Sequence, residues 1–426
     1  MKLNMPIDEN KMQKNVKLFS IYKAISWDLL FYYSISLLFF MQAKGMSASE
    51  VLFTESFYTL SKFLLQIPMV LLIEKIGKRK SVILGNILVT SYVLIVILCQ
   101  NLTQLLIAQF LCAIGFVLKG TCEKNLLYDS LPRDEKRANS FSVVDGKATS
   151  RYYYLNAITS AISGFLFVIN PYLPMILSLF MCILATYMST KFEEVQNTER
   201  EIGIKEQIKD LRYGFRYIFK SKRLVCLILF AAIFSGLISL LSTMRSTLLE
   251  FIDTPEQYFG IIFAILEILC GISAKFQTRL HNRFRNKTLS VLGIPFTVSC
   301  IFAGFIAMFD MGFSIKLGFI FLIFAVQFIA RGPYDVLIDR YLNNFAHTQM
   351  RNRIASVKLL VTSLVTFALK ALCSVLLGIS SAAVTFILFG SISTIVMILL
   401  LDYMRNRVGL KPEQYKRDDI IFTELK

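Results

Sequence analysis

The stretch Pro68-Met-Val-Leu-Leu-Ile-Glu74-Lys75-Ile-Gly77-Lys78-Arg79-Lys80 decides how the chain is read, because an apolar run ends there in an acid, a glycine turn and a cluster of bases. Long hydrophobic segments flank it on both sides, so it reads as a tight hairpin at a membrane surface. Gly77 tolerates the backbone angles at which two helices reverse within a few residues. Lys75, Lys78, Arg79 and Lys80 hold the turn on the cytoplasmic side of the bilayer, where basic loops accumulate.

The rest of the chain agrees with a membrane reading. Its 426 residues are 55% hydrophobic and only 18% charged, with a mean hydropathy of +0.59, more apolar surface than one soluble core hides. A helix needs ~20 apolar residues to cross a bilayer, and runs of that length recur about twelve times: 18–43, 50–75, 82–99, 104–128, 149–169, 173–192, 224–249, 257–280, 288–309, 315–342, 353–379 and 381–403. In lipid only helices and closed barrels satisfy their own backbone groups, and the alternating barrel pattern is missing. The expected fold class is therefore an all-α integral membrane protein of twelve transmembrane helices.

Charge sets the sidedness. Bases at Lys2, Lys11, Lys14 and Lys17, at 75–80, at Arg133, Lys136, Arg137 and Lys147, at Arg279, Arg283, Arg285 and Lys287, and at Arg351 and Arg353 fall in alternate loops, while the opposite loops carry only Lys44 and Lys316. That asymmetry predicts both termini on the cytoplasmic side of the cell membrane. It also explains the net charge of +17 without a nucleic-acid partner. The polar start, Met1 to Lys17, lacks the apolar core and cleavage site of a signal peptide, so the first span is expected to be retained.

Five segments follow: a cytoplasmic tail (1–17), a six-helix bundle (18–192), a linker (193–223), a second six-helix bundle (224–403) and a cytoplasmic tail (404–426). Within the linker Ile204, Ile208, Leu211, Phe215 and Ile218 recur at three- and four-residue steps among charges, the pattern of an amphipathic helix on the inner membrane surface. A weak echo, Arg137-Ala-Asn-Ser140 against Arg353-Ile-Ala-Ser356, lies at an offset close to half the chain and supports two related halves.

Charges inside hydrocarbon are costly and mark functional positions. The third, sixth, ninth and twelfth spans have none in their interiors. Asp28, Glu55, Lys62, Lys119, Glu123, Arg245, Glu267, Arg331, Asp335, Lys358 and Lys370 occupy the others, as a central polar cavity between two bundles requires. Asp28, Lys62, Glu267 and Arg331 lie nearest the middle of their spans. Lys119 with Glu123, and Arg331 with Asp335, are spaced i, i+4 and equally suit mutual neutralisation between helices, while Glu55, Arg245 and Lys358 lie nearer span ends and can snorkel. Trp27 beside Asp28 suits an amphipathic or cationic ligand group as well as plain helix packing. Pro333, within Arg331-Gly332-Pro333-Tyr334-Asp335, is expected to kink the tenth span beside the arginine.

Other chemistries are not encoded. No phosphate-binding glycine loop ends in Gly-Lys-Ser or Gly-Lys-Thr, and His281 and His347 fall in loops. The eight cysteines sit singly in hydrophobic runs, as packing residues without metal-ligand spacing. No enzymatic reaction, cofactor or metal is expected.

The 68–80 stretch resembles the loop signature of the major facilitator superfamily, in which a Gly four residues before an Asp, a base, a Gly and two further bases join the second and third helices. Glu74 stands for the Asp, Lys75 for the first base, Gly77 for the second Gly and Lys78-Arg79 for the last bases, while Val70 replaces the first Gly. In the second half Thr278 stands where the acid would be. Gly120-Thr-Cys-Glu-Lys-Asn-Leu-Leu-Tyr128-Asp129-Ser130-Leu131 resembles the fourth helix and following loop of bacterial drug and multidrug exporters. The resemblance implies two six-helix bundles whose third helices are peripheral, a monomer, and a secondary transporter of a small molecule that rocks between inward and outward states. It further implies proton-coupled efflux of a small amphipathic solute, with Glu74, Lys75, Gly77, Lys78 and Arg79 as an inner gate latching the halves. Asp28 and Glu267 are the expected coupling acids, with Glu123 and Asp335 next in line, and Lys62, Lys119, Arg331 and Lys370 the expected electrostatic setting of the ligand. Two rivals stay open: uptake of an anionic or zwitterionic nutrient, peptide or lipid-like solute, and a receptor of transporter shape without flux.

Overall fold

The computed structural model describes residues 9–132, 137–194, 204–344 and 350–407. Arg133, Lys136, His347 and most of the linker before Ile204 lie outside these residues, as do the side chains of Glu74 and Asp335. The chain forms α1 (Glu9–Ser26), α2 (Ser36–Leu38, continuing as a π-helical turn Phe39–Ala43), α3 (Ala48–Ile76), α4 (Lys78–Leu98), α5 (Leu102–Asp129), α6 (Arg137–Ile169), α7 (Leu173–Thr190), α8 (Ile204–Lys220), α9 (Lys222–Phe251), α10 (Glu256–Lys275), α11 (Gln277–Phe284), α12 (Thr288–Met308), α13 (Phe313–Asn344), α14 (Arg351–Ile379) and α15 (Ala382–Arg407).

Ten of these helices are long and apolar enough to cross a membrane. The other two crossings are α3, whose 29 residues carry Glu55 toward the start and Lys62 in the middle, and the first segment, whose helix is broken. Ser47 starts α3 with a reciprocal capping box to Glu50, and Gly77 ends it at φ 87°, a left-handed angle that a side chain would strain. The reversal read from the sequence into the 75–80 loop is therefore made by one residue.

Helix pairs approach most closely where glycine removes a side chain, the packing mode available when lipid offers no hydrophobic drive. Gly85 of α4 and Gly115 of α5 face each other's carbonyls, and in the second half Gly304 of α12 lies against the Ala383 carbonyl of α15 and Gly390 of α15 against the Ile301 backbone of α12. The helices without internal charges, α4 and α7, α12 and α15, pack in pairs within their own bundles. The two bundles meet along two seams, α3 with α14 and α6 with α10.

The linker helix α8 lays Gly214 against the Arg353 carbonyl and Val357 of α14 and buries Ile218. Tyr213 and Phe219 stay exposed, the apolar remainder that an interfacial helix offers to lipid.

One feature differs from the sequence reading. The first span is not one helix over 18–43: α1 starts at Glu9, ends at Ser26, and the chain runs through turns from Trp27 to Ile35 before α2 resumes. Phe31 sits there at φ 64°, a costly angle for an aromatic residue. By contrast, α13 stays helical through Pro333, and the neighbouring Gly332 serves close approach to Cys270, Ser273 and Ala274 of α10. A proline costs one backbone bond, which a helix absorbs by bending, whereas a run of turns as long as Trp27–Ile35 leaves several backbone groups to find other partners.

Candidate functional site

Non-helical backbone at membrane depth persists only where protein or a polar cavity satisfies it, and the break at Trp27–Ile35 is served by Lys119 at its start and by Asp28 within it. Lys119 of α5, nearly fully buried, donates its ammonium to the Ser26 carbonyl that α1 leaves unpaired at its end. A cation there also complements the negative end of the helix dipole. The same Nζ is 4.0 Å from Glu123 one turn on, and Glu123 accepts from the Tyr22 hydroxyl at 2.5 Å, itself held by Asn86 at 2.7 Å. Lys119 and Glu123 thus join α1, α4 and α5 into a buried polar network.

Asp28 lies in the break. Its Oδ1 accepts from the Leu29 amide at 3.0 Å and from the Tyr33 hydroxyl at 2.7 Å. Lys62 of α3 and Lys119 are close enough to act on its charge. Among the described residues Lys62 forms no ion pair; its ammonium lies 5.3 Å from the Tyr58 ring centre and 6.0 Å from that of Phe116, within cation–π reach. Trp27 stacks obliquely on Tyr152 at 5.4 Å and Tyr153 at 6.0 Å, with Lys23 Nζ 4.1 Å over its ring. An acid and a base face each other here without contact, walled by aromatic rings.

Lys23 and Asp145 are absent from the sequence reading. Lys23 is 3% exposed and pairs with Asp145 at 2.5 Å and Thr149 at 2.9 Å, pinning α1 to α6. Asp145 is hidden in the sequence because α6 begins at Arg137, a dozen residues before its hydrophobic run.

The second half contributes Arg331 of α13, which donates to Glu267 of α10 at 3.0 Å, both side chains over a quarter exposed. Beside it Arg245 of α9 is 1% exposed, donates through Nε to Gln327 at 2.7 Å and lies 4.6 Å from the Phe328 ring centre. Its Nη2 is buried without a hydrogen-bond partner. Gln327, fully buried on α13, carries no charge and gave no signal in the sequence.

The hydrogen bonds that join the bundles cluster toward the turn at Gly45–Ser47. Glu55 accepts from Lys370 of α14 at 2.8 Å and from Thr243 of α9 at 2.6 Å. Ser49 donates to the Ser374 carbonyl at 2.7 Å, and Ser374 returns a bond to the Ser49 carbonyl at 2.9 Å. Gln42 reaches Glu256 at 3.3 Å. On the second seam Gly164 and Gly260 bring α6 and α10 into backbone contact. Glu55 is therefore a clasp between the halves, not a snorkelling group, and Lys370 is occupied by it.

At the opposite, basic end the loop signature works inside the first bundle. Lys78 pairs with Asp129 at 2.8 Å, the Arg79 guanidinium donates to the Thr190 carbonyl at 2.9 Å and its amide to Glu194 at 3.3 Å. These bonds tie the ends of α4, α5 and α7 together. Nearby, the Lys14 ammonium at 2.6 Å from Glu193 holds that exposed carboxyl below its usual range. Lys358, for its part, pairs with Asp339 at 2.5 Å.

No curated protein matches the sequence. Among solved structures, the nucleoside transporter NupG superposes with a TM-score of 0.72 at 9% identity over 93% of this chain and 100% of its own. A peptide transporter POT in complex with sulfate gives 0.64 at 14% over 94% of both chains. A bacterial homolog of the human lysosomal transporter Spinster, inward-facing and unoccupied, gives 0.61 at 13% over 94% of this chain and 96% of its own. At such identities these likenesses speak for the fold alone. The family description "Major Facilitator Superfamily" matches residues 24–367, most of both bundles, and with two six-helix bundles meeting on α3–α14 and α6–α10, the chain belongs to that superfamily.

Proposed function

We propose that the protein is a proton-coupled secondary transporter that exports a small amphipathic solute across the cytoplasmic membrane by alternating access, with Asp28 as the coupling acid. The observation that carries this reading is Asp28 itself: a carboxyl on non-helical backbone at mid-membrane, near a lysine it does not bond and beside Trp27, Tyr33, Tyr152 and Tyr153. Loss of a proton there recreates an acid–base pair with Lys62, and a ligand cation competes for the same carboxylate, so proton and ligand exchange for one another. Glu267 is the weaker candidate, since Arg331 already neutralises it. The basic loops assign their face to the cytoplasm, and the bonds at Gln42, Ser49 and Glu55 then seal the outer side in an inward-open state.

Uptake of an anionic or zwitterionic solute is the second reading, favoured by Arg245, whose unpartnered N–H suits a carboxylate or phosphate. Flux in inverted vesicles against a compound panel, with and without a pH gradient, separates the two. Export predicts solute accumulation in inverted vesicles driven by an acid interior and abolished in Asp28→Asn. Transport with unchanged pH dependence in that variant overturns the assignment of Asp28, and no gradient-driven flux of any compound overturns the reading of the protein as a coupled transporter.

A further inference from the structure

A second cavity lies away from the space between the bundles, at the basic end of the second half, where α9, α11, α12, α13 and α15 converge. Its volume is about 580 Å³, within the range of sites that enclose small ligands. Its rim and its walls differ in chemistry. Arg285, Lys287 and Arg405 line it, and all three side chains are exposed. Arg285 is held there at φ 44°, where the short 3₁₀ turn Arg285–Lys287 joins α11 to α12. Asp402 also lines the cavity, leaving two positive charges in excess over the four ionised groups. His281, bonded to the Tyr341 hydroxyl at 2.6 Å, forms the inner corner with its partner.

The walls below the rim are hydrocarbon. Ile294 and Pro295 come from α12, Ile398 and Leu401 from α15, and Ile398 is 47% exposed on the outer side of a peripheral helix pair. The cavity thus begins among bases at the membrane surface and continues between apolar side chains that face lipid. A free phosphate ion has use for the bases and none for the walls, whereas a solute bound for the central site has no reason to enter a cleft on the bundle's flank. A phospholipid with a net negative headgroup fits both parts, its phosphate among the bases and the upper part of an acyl chain along the walls.

We propose that this cleft is a binding site for an anionic phospholipid, holding one lipid against α12 and α15. Each base near an anionic surface strengthens binding by a factor of about five, so removing three weakens it on the order of a hundredfold.

The test uses full-length protein in neutral detergent, with retention of phosphatidylglycerol, phosphatidylcholine or inorganic phosphate followed by native mass spectrometry. Phosphatidylglycerol is expected to bind more tightly than phosphatidylcholine. The triple variant Arg285→Gln, Lys287→Gln, Arg405→Gln should lose roughly a hundredfold in apparent affinity. A control, Lys220→Gln, Arg279→Gln, Arg283→Gln, removes equal charge from the same face outside the cavity and should change it less than threefold. Equal losses in the two triple variants would mean diffuse attraction and overturn the site. Inorganic phosphate binding as tightly as the lipid would overturn the lipid as its occupant. If the triple variant does not fold, Leu401→Trp, which fills the apolar arm without changing charge, must abolish phosphatidylglycerol retention or the proposal fails.

Discussion

Removing the Glu55–Lys370 ion pair should unfasten the seam between the bundles. The two groups are 2.8 Å apart, with Lys370 7% and Glu55 25% exposed. Their attraction at an effective dielectric near 20 is about 6 kcal/mol, and desolvation of both charges offsets much of it. A net coupling of about 2 kcal/mol is the conservative end of values measured for close pairs, equivalent to roughly a 30-fold change in an equilibrium. The bond spans two halves that must separate there in any alternating cycle, so the energy is lost on opening. Lys370→Met should therefore lower the equilibrium constant for the sealed state by about 30-fold, leaving each bundle folded. Spin labels at Gln100 and Asp310, exposed in turns of the two halves at that end, report the two populations as separate distances. The swap Glu55→Lys with Lys370→Glu restores the pair and should recover most of the sealed population. A shift below threefold in Lys370→Met, or a folded swap variant that behaves like the single one, would refute the clasp.

Two further outcomes follow from the same contacts. Lys119→Met should lower stability by about 2–4 kcal/mol, since it leaves the Ser26 carbonyl unpaired and Glu123 without its counter-charge; thermal unfolding measures the loss, and adding Glu123→Gln should recover part of it, whereas no recovery would deny the pairing. Gly260→Val should drive α6 from α10, because its Cβ meets the Ser160 carbonyl, so the Gln100–Asp310 distance should lengthen, while Gly271→Ala, which faces open space, should leave it unchanged.

Helices and their number follow from hydrophobic run length, a quantity that the bilayer imposes on each segment separately. For that reason the boundaries of α4, α5, α12 and α15 are readable from composition, and so is the peripheral place of the helices without internal charge. Pairing is different in kind, because it depends on which helix stands opposite. Lys119 and Glu123 share a helix face in the sequence, yet nothing in their spacing says that the lysine serves a carbonyl of another helix. Glu55 and Lys370 lie 315 positions apart, and only the meeting of α3 with α14 makes them partners.

The break in the first segment marks where local reading fails. Trp27, Phe31, Tyr32, Tyr33, Ser34 and Ile35 include no glycine or proline, the residues whose presence signals a helix end, and their individual helix propensities are only mildly unfavourable. In lipid, mild propensity is overruled by the need to satisfy every backbone group, so an unbroken helix is the correct expectation for this run in isolation. It becomes wrong because Lys119 takes the Ser26 carbonyl and Asp28 takes the Leu29 amide. The buried charges that look like ligand groups along α5 and the first segment thus include those that make the break possible. What separates Asp28 and Lys62 from them is that, among the described residues, neither is consumed by an ion pair. A site that must bind, release and rebind needs charges left in that condition.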